Sequence, residues 1–357
     1  MRSLANNIRG ISTLPILSGI AALALLFLLP KFVTSTYALH IMILIFISVI
    51  TGSAWNLLGG YTGQYSVGHA AYFGVGAYTT MVLLQYRHLA PWFGIWAGVA
   101  MAAATGLIIG SICFRLRGPY FVLASIAVAE IFRVCALNLK DLTNGAEGIL
   151  IADIPPLKIG DVVITDFLSK VPFYYTGLVM AIAVILVTWL VQNSKLGYYL
   201  QAIREDQDAA HSLGINLTLY KNAALALSAI FTSLAGSLYG LYVGFIDPGT
   251  VLDLGLSVQI VMTCIIGGIG TIFGPMIGAI VLVPFSEALR SNVFAQALID
   301  SGLVREQSAL GSFLKEQLSH AHVLIYGILL VVVILFMPDG ILGFITKLAA
   351  KKRKEAA

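Results

Sequence analysis

The sequence predicts an all-α membrane protein: a polytopic helical bundle with about eight to ten transmembrane helices, some of them glycine-broken segments. Of its 357 residues, 59% are hydrophobic and only 11% are charged, whereas a soluble domain carries about 25% charged residues. Mean hydropathy is +0.92. So little charge cannot coat a water-facing surface, and most of the surface therefore faces lipid. We interpret the whole chain, 1–357, as a single transmembrane domain.

Apolar runs close to the roughly 20 residues that a helix needs to cross the hydrocarbon core predict the individual spans. The candidates are 13–30, 38–58, 66–85, 92–114, 119–138, 173–192, 222–245, 255–272, 275–291 and 323–338. Segments 66–85 and 255–291 are rich in glycine, which weakens a helix. Basic residues precede the first run as in a signal peptide, but no small-x-small cleavage site follows closely. The sequence therefore favours an uncleaved first helix.

The distribution of basic residues predicts the orientation. With the N-terminus inside and ten spans crossed, the inner side holds twelve basic residues and the outer side holds eight, as the positive-inside rule requires. Both termini are then cytoplasmic, and the basic tail 346–357 lies near anionic lipid headgroups. No basic stripe suited to phosphate contacts is present, which excludes nucleic acid as a partner.

Two long polar segments fall on the outer side of this topology. Residues 139–172 contain Pro155 and Pro156 and short alternating runs, and we expect an external loop with a small hairpin or cap. Residues 290–322 are charged and partly amphipathic, and we expect an external or interfacial insertion. A solvated connector is the alternative for each.

Several catalytic and metal-binding patterns are absent from the sequence. It contains no Gly-Lys dipeptide and hence no Walker A loop, and it contains neither HExxH nor GxSxG. Cys113, Cys135 and Cys264 lie in apolar runs without CxxC or metal spacing, which is typical of small reduced core residues. The sequence therefore predicts no enzyme, no metal site and no cofactor of its own.

Two glycine-rich segments, 59–78 and 267–279, suggest a translocation path. Broken helices at membrane depth are tolerated where they are buried in protein or line a cavity, and such segments in corresponding halves hint at an internal repeat with the path between them. Close helix packing, with hydroxyl groups bonded to backbone, is the alternative. The tentative path residues in these segments are Gln64, Ser66, Gly68, His69, Gly268, Gly270 and Thr271.

Glu130 and Arg133 lie inside the apolar run 119–138. Ionisable groups at membrane depth are costly and suggest function, so both are added to the tentative path. At i, i+3 on a helix they can also neutralise each other. A structural ion pair that faces the bundle is therefore the alternative.

The inner segment 193–221 is the long charged stretch on the cytoplasmic side. Leu200, Ile203, Ala210 and Leu213 recur at near-helical spacing, and a glycine follows as a helix stop. We expect a short helix that docks in a partner's cleft, with a solvated amphipathic connector as the alternative. The residues assigned to ATPase coupling are Ile203, Arg204, Glu205, Asp206, Asp208, Ala209, Ala210 and Gly214.

Taken together, several stretches resemble the permeases of branched-chain amino acid ABC transporters, specifically the LivM type. The resemblance covers roughly residues 40–345. The stretches that carry it are Gly63–Tyr78, Glu130–Arg133 with Thr143–Ile149, Arg204–Gly214, Gly267–Ala279 and the ending Met337–Gly343. Asp208-Ala209-Ala210 with Gly214 stands where importers of this broad class carry Glu-Ala-Ala and glycine, and 290–322 is longer than the family leads us to expect.

The resemblance implies a subunit of the bacterial inner membrane that translocates branched-chain amino acids. It implies a LivH-type permease as partner, two ABC ATPase subunits that bind ATP and Mg²⁺, and a periplasmic or lipid-anchored amino-acid-binding protein. Urea, short amides or other amino acids are alternative cargoes. A stand-alone secondary transporter, with Glu130 as its proton site, and a membrane enzyme are the alternatives outside this class.

Overall fold

The computed structural model describes residues 13–33, 35–151, 154, 157–159, 162–165 and 169–290, with scattered positions between 327 and 347. Its longer helices are α1 (Thr13–Phe32), α2 (Thr36–Thr62), α3 (His69–Arg87), α4 (Pro91–Cys113), α5 (Pro119–Asn138), α7 (Lys170–Gln192), α8 (Lys195–Glu205), α10 (Leu217–Val243), α12 (Leu254–Gly267) and α13 (Gly274–Arg290). Its shorter elements are α6 (Lys140–Thr143), α9 (Gln207–Ser212), α11 (Pro248–Val251), β1 (Ile149–Leu150), β2 (Leu157–Ile159), β3 (Val162–Thr165) and β4 (Phe245–Ile246).

The predicted all-α membrane bundle is confirmed. Among the residues that the structure describes, six helical stretches are long and apolar enough to cross a membrane: Thr36–Thr62, Pro91–Cys113, Pro119–Asn138, Lys170–Gln192, Leu217–Val243 and Pro248–Gly267. Shorter apolar helices cover Leu23–Phe32 and Gly274–Leu289. The predicted span 66–85 corresponds to α3, whose helix starts at His69. Most of the predicted segments 290–322, 323–338 and 346–357 lie outside the described residues.

Local capping explains where the two longest helices begin and end. The Ser35 side chain accepts a hydrogen bond from the Ala38 amide at the start of α2, and Asn216 does the same for the Leu219 amide at the start of α10. These residues satisfy amides that have no partner within the helix. Gly63 (φ +67) and Gly244 (φ +73) end the two helices in the left-handed conformation that favours glycine.

Helices α2 and α10 form the centre of the bundle. In each of them 72% of the most apolar window is buried, compared with 28% in α4 and 22% in α5. Helix α10 packs against α2, α3 and α4, whereas α2 also packs against α7, α12 and α13. Helix α5 is peripheral, and much of its apolar surface is left for lipid or another chain.

The two ends of the bundle carry different structures. At one end β1 pairs antiparallel with β4, with Ile149 opposite Ile246, and β2 pairs with β3 in the predicted hairpin. Helices α8 and α9 lie at the other end, because α10 runs from α9 to β4 along the length of the bundle. We call these the β1–β4 end and the α8–α9 end.

The prediction of one helix over 255–272 is wrong in its last five residues, 268–272. Helix α12 ends at Gly267, and the chain between 268 and 273 is non-helical until α13 begins. The cause is backbone conformation, since Gly268 has φ +132 and Gly270 has φ +75, values that a helix cannot contain. The first glycine-rich segment breaks in the same way, but only over 63–68, because Gly59 and Gly60 stay within α2.

Candidate coupling and translocation site

Helices α8 and α9 form a bent pair whose inner side is fixed to the bundle. Asp206 lies between them, and its carboxylate accepts hydrogen bonds from the Asp208 amide (2.9 Å) and the Ala209 amide (3.0 Å). This is an ordinary N-cap, so it starts α9 in a new direction. Leu200 and Ile203 are fully buried, as their spacing predicts. The pair is therefore a rigid extension of the bundle.

The outer side of the same pair is open. Ala210 is buried, but Glu205, Asp208 and Ala209 are exposed. Leu213 follows the end of α9 at Ser212, and 81% of it is exposed. Gly214 follows with φ +83 and open space around its α-carbon, and it ends the motif as predicted.

Within the described part of the chain, three polar side-chain contacts join the α8–α9 pair to different parts of the bundle. Asp208 pairs with Arg117 in the turn before α5 at 3.0 Å between Oδ1 and Nη1. Gln207 Oε1 accepts a hydrogen bond of 2.8 Å from the buried Lys221 Nζ of α10. Arg204 Nη1 donates to the Gly60 carbonyl of α2 at 2.7 Å. A displacement of the pair would thus act on α2, on α10 and on the start of α5.

The first break, residues 63–68, is held by side chains from two other segments. Trp55 of α2 donates from Nε1 to the Ser66 carbonyl at 2.7 Å. Ser125 of α5 accepts from the Val67 amide at 2.9 Å. Gln64 and Ser66 are both buried. The irregular backbone at this depth is therefore satisfied by protein, as it must be away from water.

His69 begins α3 in a fully buried position. Its Nε2 lies 2.7 Å from the Ser228 hydroxyl of α10, and the next amide, that of Ala70, donates to Ser257 Oγ of α12 at 2.9 Å. Ser66, Gly68 and other residues line a small cavity between this segment and α5. The structure thus places the predicted polar cluster inside the chain, at a junction of several helices.

Glycine allows α3 and α10 to approach each other closely. A β-carbon at Gly76 would overlap the Ser233 carbonyl, and one at Gly74 would overlap Leu252. Thr80 Oγ1 donates to Ser237 Oγ at 2.9 Å, and Ser237 Oγ donates to the Gly76 carbonyl at 3.0 Å. This is the packing that small residues permit in membrane bundles. It accounts for the glycines of α3 whether or not a path runs nearby.

The second break, residues 268–273, is held by Asn56, a residue that sequence reasoning missed. Asn56 is fully buried in α2. Its Nδ2 donates to the Thr271 carbonyl, and its Oδ1 accepts from the Gly270 amide, both at 2.8 Å. Thr271 Oγ1 donates to the Gly268 carbonyl at 2.8 Å. An amide inside an apolar run is a signal in itself, because such a group needs partners at membrane depth.

Glu130 and Arg133 form the expected i, i+3 ion pair on α5, with 2.9 Å between Arg133 Nε and Glu130 Oε2. The pair is covered only in part by its own chain. Half of the Glu130 side chain and a third of the Arg133 side chain are exposed. Glu130 lies roughly 16 Å along the α5 axis from Pro119, well inside the span. Part of this charged pair is thus exposed on the surface of the chain at membrane depth.

Matches to known proteins span nearly all of the helices and strands described above. A family model described as "Branched-chain amino acid transport system / permease component" matches residues 37–337. The high-affinity branched-chain amino acid transport system permease protein LivM of Escherichia coli is 28% identical over 303 residues, which span 80% of this chain and 71% of that protein. LivH of Escherichia coli is 26% identical over 319 residues, 84% of this chain and 94% of that protein. No solved structure matches this chain significantly.

Proposed function

The chain belongs to the branched-chain amino acid transport system permease family, and from that premise we propose that its cargo is branched-chain amino acids. It is a multi-pass membrane permease subunit of an ABC importer. We propose a LivH-type permease as its partner in the membrane. The proposed complex also contains two ABC ATPase subunits and a periplasmic or lipid-anchored amino-acid-binding protein. ATP and Mg²⁺ bind to the ATPase subunits.

The observation that carries the proposal is the α8–α9 pair. Its inner side is anchored by buried apolar residues and by the contacts to Gly60, Arg117 and Lys221. Its outer side presents exposed acidic and small residues together with Leu213. A rigid helix pair that is exposed on one side and bonded to several helices on the other can transmit the motion of a docked partner to those helices. We therefore assign the outer side to ATPase docking and the α8–α9 end to the cytoplasm.

The exposed ion pair on α5 supports a path shared with the second permease. A charged pair is costly in lipid, and such residues usually face protein or water. Since Glu130 and Arg133 are covered only in part by their own chain, we propose that the exposed part faces the partner permease or the path between the two permeases. An amino acid carries one ammonium and one carboxylate group, so a carboxylate and a guanidinium together match its charges. The two breaks, with Gln64, His69 and Thr271, then lie at the cytoplasmic gate.

The test of this function is purification followed by transport. The tagged chain is isolated gently from its native membrane, its partners are identified by mass spectrometry, and the complex is reconstituted in liposomes with the binding protein. We expect a second permease and Walker A ATPases, and ATP-dependent uptake of leucine in preference to urea or a short amide. A chain that purifies alone and transports without ATP would refute the ABC assignment. Preferential uptake of urea would refute the cargo.

A variant pair tests the coupling role within that complex. Gly214→Pro cannot adopt φ +83, because the proline ring holds φ near −65°. We expect it to abolish substrate-stimulated ATP hydrolysis while assembly stays detectable. Gly214→Asn is the matched control, since asparagine tolerates the left-handed region and the space there is open. Normal stimulation in the proline variant would count against coupling through this segment.

A further inference from the structure

Arg204 lies where the coupling pair meets both glycine-rich breaks. It occupies the last turn of α8, and its Nη1 donates to the Gly60 carbonyl at 2.7 Å. Gly60 is in the final turn of α2, where carbonyl groups have no amide partner within the helix. A guanidinium at this position satisfies one such carbonyl and complements the negative end of the helix dipole. Arg204 therefore fixes the end of the helix that leads into the first break.

The same guanidinium also lies against the second break. A β-carbon on Gly270 would collide with Arg204 Nη1, and one on Gly60 would collide with the Asn56 side chain and approach the Gly270 amide. Gly270 has φ +75, and its amide is bonded to Asn56 Oδ1. The backbones at Gly60 and Gly270, the buried side-chain amide of Asn56 and the guanidinium of Arg204 thus lie close together at one place. Only glycine at both backbone positions leaves room for this arrangement.

A third glycine, at the end of α2, also leaves room for the Arg204 side chain. Gly63, the first residue of the first break, has φ +67, and a β-carbon there would lie 3.5 Å from Arg204 Cγ. The stem of Arg204 therefore packs along the turn that ends α2, while its head reaches Gly60 and Gly270. One side chain borders the beginning of the first break and the middle of the second.

The other two contacts of the pair do not reach either break. Arg117 and Asp208 are largely exposed, with 65% and 76% of their side chains accessible, and an exposed ion pair contributes little. Lys221 and Gln207 join α9 to the first turn of α10. Among the residues that the structure describes, Arg204 is the coupling-pair side chain that touches both glycine-rich segments.

We propose that Arg204 is the positioning residue that moves both breaks together when the α8–α9 pair is displaced. The proposal rests on the proposed ABC permease function. When ATPase subunits shift the pair, the charge-assisted hydrogen bond to Gly60 transmits the shift to the end of α2, and contact with Gly270 transmits it to 268–273. Asn56 joins the two segments from the membrane side, so they respond as one unit. Lysine would keep the charge and a donor for the Gly60 carbonyl but would lose the planar head that lies against Gly270.

The experiment compares Arg204→Ala and Arg204→Lys with wild type in the reconstituted complex. The control is Lys195→Ala, which removes an exposed cation from the first position of the same helix. The first readout is leucine taken up per ATP hydrolysed. We expect this ratio to fall about tenfold in Arg204→Ala, a size typical of coupling between sites, to fall less in Arg204→Lys, and to stay unchanged in Lys195→Ala.

The second readout separates transmission from a merely structural role. Hydrogen exchange is followed in peptides covering 57–70 and 266–275, with and without ATP. We expect ATP to change exchange in both peptides of the wild type and in neither peptide of Arg204→Ala. Should Arg204→Ala fail to assemble, Arg204→Lys carries the same measurement, with the ATP response weakened in both peptides together.

Either of two results would overturn the proposal: an unchanged uptake-to-hydrolysis ratio, or an ATP response that is lost in one peptide and kept in the other. The wild-type complex distinguishes this failure from failure of the function itself. If wild type transports leucine with ATP while Arg204 variants stay coupled, only the role of Arg204 is refuted. If wild type shows no ATP-dependent uptake, the proposed function is refuted first.

Discussion

The two glycine-rich breaks are stabilised in different ways. The first, 63–68, is bonded to two helices: the Ser66 carbonyl accepts a hydrogen bond from Trp55 of α2, and the Val67 amide donates to Ser125 of α5. The second, 268–273, is bonded to Asn56 of α2 and to its own Thr271. Hydrogen bonds thus hold the first break from two helices and the second from one. The difference indicates that the second break opens at a lower free energy than the first.

This asymmetry concerns how readily each break opens by itself, and it is compatible with a joint displacement of both breaks through Arg204. Regions that rearrange in function are drawn from the parts of a protein with low local stability. A segment attached through one side-chain amide can exchange partners in a single step, while a segment attached to two helices must lose both attachments. The following predictions test this comparison, starting with the largest expected effect.

The helices that follow the two breaks are expected to be equally intolerant of added volume. A β-carbon at Gly76 would overlap the Ser233 carbonyl, and one at Gly278 would overlap the Thr263 carbonyl. Overpacking against backbone costs about 1–3 kcal/mol or more. We expect Gly76→Ala and Gly278→Ala each to lower the melting temperature of the detergent-solubilised complex strongly. Gly177→Ala, with its nearest contact at 3.4 Å, is the control, and a shift there of the same size would contradict the argument.

Loss of Asn56 is expected to release the second break alone. Asn56→Ala leaves the Gly270 amide and the Thr271 carbonyl without their partner, at about 1–3 kcal/mol for each buried group. Hydrogen exchange should accelerate in 268–273 more than in 63–68. Ser53→Ala, on the same helix and without a hydrogen-bond partner for its hydroxyl, provides the control. Equal acceleration in both breaks would show that they are one unit even at rest.

Loss of Ser125 is expected to have a smaller effect on the first break. Ser125→Ala removes the acceptor for the Val67 amide, but Trp55 still holds the Ser66 carbonyl. We expect a loss of about 0.5–1.5 kcal/mol in unfolding free energy, smaller than for Asn56→Ala, measured by thermal denaturation under the same conditions. If Ser125→Ala were the more damaging substitution, the first break would not be held redundantly.

The smallest effect is expected at the exposed contact outside both breaks. Arg117→Ala or Asp208→Ala removes an ion pair whose side chains are mostly accessible. Such pairs contribute at most about 1 kcal/mol, and salt weakens them. A double-mutant cycle on thermal stability at low and high salt measures the interaction. A large, salt-independent coupling energy would mean that this contact, rather than Arg204, is a main link to the bundle.

Much of the fold could be predicted because apolar length is a strong signal. The runs predicted at 92–114 and 119–138 differ from α4 and α5 by at most one residue at either end. Helix α10 starts five residues before the predicted 222, because Asn216 caps a polar first turn that hydropathy alone does not include. Glycine pairs were less informative, since Gly59 and Gly60 remain helical while Gly268 ends a helix. Only the backbone conformation separates these cases.

Sequence reasoning could predict residues of the candidate site but not the contacts that join them. The proposed coupling residues and the pair Glu130–Arg133 were predicted from charge and spacing. The contacts of Arg204 with Gly60 and of Asn56 with Gly270 join positions more than 140 residues apart, and no local pattern encodes them. Asn56 could have been suspected as a lone amide in an apolar run, but its partners are backbone groups, which every residue offers.

The three cysteines differ in accessibility, which allows a spectroscopic label to be attached without an engineered residue. Cys113 and Cys264 are buried, whereas Cys135 is exposed on α5, two residues after Arg133. A membrane-permeant, thiol-reactive fluorophore or spin label will therefore attach to the unmodified chain mainly at Cys135, on a different face of α5 from Arg133. Changes in its emission or mobility during ATP turnover would report on the surroundings of α5 without any engineered residue.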